Sequence, residues 1–143
     1  MNFDTDDIQR ITSEACAMFG LEVVNGATPK LSGEGLGCSI SISGVWNGSV
    51  RMACGAEFAK RLACVMFELD PPDLAPADIN DAFGELVNVT AGNIKALLPA
   101  GCSLGLPEIG TAADGVSNGP TRLQAWGFSA EGDVLTVAIK KVA

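Results

Sequence analysis

Residues 81–95 read DAFGELVNVTAGNIK. Wound at about 100° per residue, the stretch divides into two unlike faces. Ala82, Phe83, Leu86, Thr90 and Ile94 make an ordinary core face. Asp81, Glu85, Asn88, Gly92 and Lys95 fall within roughly 40° of one column on the other side, and Gly84 lies at its edge. The segment therefore predicts a long helix with one buried side and one outward polar ridge. It should begin near Pro76 or Asp78, after the proline-broken connector DPPDLAPAD (70–78). It should end near Leu98, where Pro99 and Gly101 close it.

Upstream, Ile8, Ile11, Ala15, Met18 and Phe19 mark the buried stripe of a first helix from about Thr5 to Phe19. Asp4 is placed to cap it and Gly20 to stop it. From Gly37 the period changes to two. Cys38, Ile40 and Ile42 alternate with Ser39, Ser41 and Ser43, which predicts a half-buried strand. The turn chemistry of GVWNGS (44–49) joins it to a second strand through Val50, Met52 and Cys54. A second helix spans about Ala56 to Phe67, with Phe58, Ala59, Leu62, Ala63 and Met66 inward and Glu57, Lys60 and Arg61 outward.

Downstream of the long helix, SLGLPEI (103–109) reads as a strand holding a glycine and a late proline, followed by a polar, glycine-rich loop over 110–120. TRLQAWGF and DVLTVAIKKV then make two strands across the SAEGD turn. Helix, hairpin, two helices and three strands are not a regular βαβ alternation. The order implies an α+β domain with a largely antiparallel sheet and helices packed on its face. No linker or repeat divides residues 1–143, so a single domain is expected.

The chain has 143 residues, of which 48% are hydrophobic and 18% charged, enough for a real core and too few charges for a disordered chain. No apolar run is long enough to span a membrane. The acidic start MNFDTDDIQR lacks the features of a secretory signal, and a cytoplasmic location is expected. Nine basic residues face seventeen acidic ones, a formal charge of -8, which disfavours nucleic acid as a partner. The five cysteines (Cys16, Cys38, Cys54, Cys64 and Cys102) show no CxxC spacing and read as reduced, mostly buried thiols. The chain contains no histidine. That removes Ser-His-Asp triads, Cys-His dyads and the common zinc sites.

An exposed helix face is polar in any case, and an acid near a helix start is favoured by the dipole. This accounts for Asp81 and for Lys95. It accounts neither for Asn88, a mediocre helix former at mid-helix, nor for Gly84 and Gly92, which cost about 1 kcal/mol each relative to alanine. Close approach of another backbone is the usual physical reason for such glycines. Asp81 and Glu85 could also share a hard cation, although the chain offers no further acidic cluster to complete the shell.

The ridge resembles the motif of the CheC/CheX family of chemotaxis phosphatases. That motif has an acid or serine, Glu four positions on, Asn three further, and then a Gly-Asn pair. Asp81, Glu85, Asn88, Gly92 and Asn93 match it, and SLGLPEI resembles the strand that follows. A second Glu-x-x-Asn, Glu22 to Asn25, follows the stop at Gly20 and ends in Asn25-Gly26. It reads as strand-and-turn chemistry and a chance match.

The resemblance implies a CheC/CheX/FliM-like fold and a phosphatase acting on the phosphoaspartate of a CheY-like receiver domain. Asn88 would orient the attacking water and Glu85 would contact the receiver's active-site lysine. Asp81, Gly84, Gly92 and Lys95 would lie in the partner-binding surface. No cofactor or metal of its own is implied; a divalent ion, Mg2+, is expected in the receiver. Homodimerisation through the sheets is also implied, with DVLTVAIKKV or another strand as the pairing edge. A rival is a FliM-like module that binds its partner without catalysis.

Overall fold

The computed structural model describes residues 2–30, 35–111 and 121–142, the side chains of Thr111, Thr121 and Arg122 excepted. Among these residues three α-helices and seven strands follow in the order α1 (Thr5–Met18), β1 (Val24–Ala27), β2 (Leu36–Gly44), β3 (Gly48–Cys54), α2 (Ala56–Phe67), α3 (Pro76–Lys95), β4 (Cys102–Leu104), β5 (Glu108–Thr111), β6 (Thr121–Ala130) and β7 (Asp133–Val142). A 3-10 turn, Pro71–Asp73, occupies the proline-rich connector before α3. Most of the 110–120 loop lies outside the described residues; Gly110 and Thr111 belong to β5.

The strands form one antiparallel sheet in the order β1-β6-β7-β3-β2-β4, with β5 also paired to β2. The expected hairpin is present, Ile40 opposite Val50 and Cys38 opposite Met52. β7 is not an edge, because β3 and β6 flank it on both sides. An apolar alternating strand does not encode its place in a sheet, so DVLTVAIKKV reads the same at the centre as at the rim. Two short elements complete the sheet. Val24–Ala27, where the sequence reads as strand-and-turn chemistry, pairs with β6 as an edge strand. SLGLPEI is interrupted, its two ends pairing separately with β2.

The helices cover one face of the sheet. Cys38, Ile40, Ile42, Val50, Met52, Leu135, Val137 and Ile139 point from the strands into a core shared with Ile8, Ile11, Phe58, Leu62, Phe83, Leu86 and Ile94. α3 lies between α1 and α2 and across β2 and β3. Burial of one large aliphatic or aromatic side chain contributes about 1.5–3 kcal/mol, so this layer dominates stability. Trp46, at the β2–β3 turn, folds back into the core and meets Phe3 edge-on at 5.9 Å. Trp126 is also buried, and its indole N–H donates to Thr5 Oγ1 at 3.1 Å.

Each helix start has an identifiable cap. Asp6 N–H donates to Asp4 Oδ1 at 2.8 Å, as the sequence predicts for α1. Ala75 N–H donates to Asp78 Oδ2 at 3.0 Å, and Pro76 occupies the first position of α3, where its missing N–H costs nothing. At α2 the cap residue is Gly55, which has no side chain to offer. The carboxylate comes instead from Asp133 at the start of β7, accepting from Phe58 N–H at 3.0 Å.

Candidate functional site

The apolar side of α3 fixes how its ridge is presented. Ala82, Phe83, Leu86, Val87, Thr90, Ala91 and Ile94 are buried. Thr90 satisfies its hydroxyl by donating to Leu86 O at 2.8 Å, so the core face carries no unbonded polar atom at this position. With that face locked, Asp81, Glu85 and Asn88 emerge exposed on the opposite side. Gly92 and Lys95 are half-buried at the far end. Among the described residues, none of the hydrogen bonds or salt bridges engages the side chain of Asp81, Glu85 or Asn88. These groups are held in direction by the helix and left open to a partner.

Glu22 and Asn25 have no such setting. Glu22 precedes β1 and Asn25 lies within it, opposite Phe128. The second Glu-x-x-Asn is therefore not on a helix, as the sequence reading held.

The ridge forms one wall of a groove of about 500 Å³. Asn80, Asp81, Gly84, Glu85 and Asn88 line it from α3, and Leu106, Pro107 and Ile109 line it from the opposite side. Gly84 is buried at the floor rather than standing on the ridge. A β-carbon there would meet Pro107 Cβ at 3.8 Å and Ile109 Cδ1 at 3.9 Å; one at Gly92 would meet Leu104 Cδ1 at 3.9 Å. These are ordinary contacts, so the chain's own packing leaves room for a methyl group at either glycine. At Gly84 that room lies on the groove side of the helix.

Asn80, Leu106, Pro107 and Ile109 were not singled out from sequence. The available signal was a leucine between glycine and proline in SLGLPEI, an apolar residue where the strand pattern breaks. Among the described residues no group of three His, Cys, Asp or Glu side chains is gathered to hold a metal ion, so no third side chain of these types joins Asp81 and Glu85. Three thiols lie in the core: burial pushes Cys16 up to about 12 and Cys38 up to about 11, the latter held back in part by Arg51, and raises Cys54 further. None of them lines the groove.

The architecture is that shared by CheX, CheC-like proteins and the middle domain of FliM. The chain belongs to the CheX family: the description "Chemotaxis phosphatase CheX" matches residues 36–129, more than half of its length. A CheC-like superfamily protein from Shewanella sp. PV-4 superposes with a TM-score of 0.80 at 17% identity, covering 100% of both chains. The CheX-CheY-BeF3-Mg complex from Borrelia burgdorferi matches with a TM-score of 0.75 at 19% identity, over 96% of this chain and 97% of that one. The FliM middle domain from H. pylori is more distant, with a TM-score of 0.52 at 5% identity, over 97% and 93%. No protein of curated function matches the sequence. No helix among the described residues is long and apolar enough to cross a membrane.

Proposed function

We propose that this protein hydrolyses the phosphoaspartate of a CheY-like receiver domain, with Asn88 orienting the attacking water and Glu85 pairing with the receiver's active-site lysine. The observation that carries this reading is the pairing of Glu85 and Asn88. They stand one helical turn apart, exposed, unbonded among the described residues and on the same groove. Membership in a phosphatase family and the fold likeness to the CheX of a CheX-CheY complex support the choice of substrate.

An acyl phosphate is already activated, and its hydrolysis asks chiefly for position. Water adds to phosphorus in line as the aspartyl oxygen leaves with the electron pair of the breaking P–O bond. The water's protons pass to phosphate oxygens and solvent. A carboxamide suits the task, since its oxygen accepts from water and its NH2 donates to a phosphoryl oxygen. The divalent ion, Mg2+, would be the receiver's own and would neutralise charge on the transferring group. Glu85 would displace that lysine from other partners and fix the helix in register. Asp81 and Lys95 bracket the ridge and would contribute to binding rather than to the chemical step.

The test is to mix the protein with a phosphorylated receiver and Mg2+ and follow loss of phosphate. The wild type should accelerate it, and Asn88→Ala should lose about a hundredfold in kcat, the scale of a mispositioned reactant. Glu85→Ala should lose turnover as well, and both variants should fold normally. Binding of the receiver without acceleration would select the FliM-like module instead.

A further inference from the structure

The wall opposite the ridge is built by a bulge. Ile42 pairs with Leu104, and Ser39 pairs with Glu108. Between these pairs β2 advances three residues, from 42 to 39, while the edge advances four, from 104 to 108. One residue is therefore extra on the edge, and bulges of this kind re-aim side chains beside functional sites. Gly105 N–H anchors the irregularity by donating to Ser41 O at 2.8 Å. A β-carbon at Gly105 would stand 2.5 Å from Ser41 Oγ, so the approach suits glycine. Pro107 has no N–H to lose from the ladder. Pro107 and Ile109 lean on α3 over Gly84. Leu106 is left pointing outward, 84% exposed, more than any other large apolar side chain among the described residues.

We propose that Leu106 is a docking residue that buries itself against an apolar surface of the receiver domain flanking the phosphorylation pocket. This rests on the phosphatase reading of the ridge. Glu85 and Asn88 share the groove with Leu106, so a body that reaches them must also meet the side chain on the opposite lip. The two walls then divide the work. The polar wall acts on the reacting atoms, and the apolar wall supplies affinity that does not depend on long-range attraction to a chain of net charge -8. A leucine held out of its own core by a bulge also loses little on binding, because its backbone is already fixed.

The experiment compares wild type, Leu106→Ser and Leu106→Met. It measures kcat and KM on a phosphorylated receiver, affinity for the same receiver activated with beryllium fluoride and Mg2+, and oligomeric state. Leu106→Ser should raise KM and weaken affinity about tenfold or more, the value of one buried leucine, with kcat retained. Leu106→Met, similar in volume and apolarity, should restore both. An unchanged KM and affinity in Leu106→Ser overturns the docking role while leaving the phosphatase reading intact. A change in oligomeric state with KM unchanged overturns it too, and assigns Leu106 to a second copy of the chain. If the wild type binds the receiver without accelerating hydrolysis, the phosphatase reading falls, and docking stands on the affinity loss in Leu106→Ser. If the wild type does neither, both fall.

Discussion

Pro107 Cβ lies 3.8 Å from where a β-carbon on Gly84 would stand. The distance permits alanine without displacing the lip, and alanine is the better helix former by about 1 kcal/mol. Gly84→Ala should therefore leave the urea midpoint unchanged or raise stability by up to about 1 kcal/mol. The added methyl occupies the groove floor between Asp81 and Asn88, so receiver dephosphorylation should fall while stability does not. A stability gain with full activity would show that no partner atom reaches the floor. A loss of stability would show that the lip cannot take even a methyl group.

Asp133 gives a prediction away from the site. Its Oδ2 accepts from Phe58 N–H at 3.0 Å and its Oδ1 from Val134 N–H at 2.8 Å, so one carboxylate caps α2 and ties it to β7. Asp133→Ala should destabilise the fold by about 1–2 kcal/mol, the value of a lost cap, seen as a lower urea midpoint with unchanged slope. Asp133→Asn keeps an acceptor and should recover part of the loss. Because α2 contributes nothing to the groove among its lining residues, kcat and KM should be unaffected in folded protein. An activity defect at full folding would reveal coupling between α2 and the ridge.

What the sequence made legible, and what it hid, follows the range of the interactions. The faces of α3 were readable because helical period is local: Phe83, Leu86, Thr90 and Ile94 are buried, and Asp81, Glu85 and Asn88 are exposed. The limits of α2 and the Asp4 cap were readable for the same reason. The Asp133 cap was not, since its partner lies 75 residues away. The place of β7 in the sheet depends on which strands flank it, which alternation does not encode. The bulge at Gly105–Pro107 needs the registers of β4 and β5 on β2 to be seen at all. Without it Leu106 passes for an ordinary strand residue, and so half of the groove was missed while the ridge was found.

The buried thiols predict a loss of stability at alkaline pH. Cys16 is raised from 9.0 to about 12 and Cys38 from 9.0 to about 11, both chiefly by burial, and Cys54 moves in the same direction. A raised value means that the folded chain holds its thiol protons more tightly than the unfolded chain. Their contribution is complete below pH 9, where both states are protonated. Above pH 9 the unfolded chain releases protons that the folded chain retains, and stability falls with pH until about 11 for Cys38 and about 12 for Cys16. The chain has no tyrosine to titrate in this window. Urea midpoints measured from pH 7 to pH 10.5 should be flat as far as these groups are concerned up to pH 9 and decline beyond it. Cys16→Ala should decline less steeply than wild type, since one of the retained protons is gone. The same slope in both proteins would mean that Cys16 ionises as easily in the fold as out of it, and that the core around it admits water.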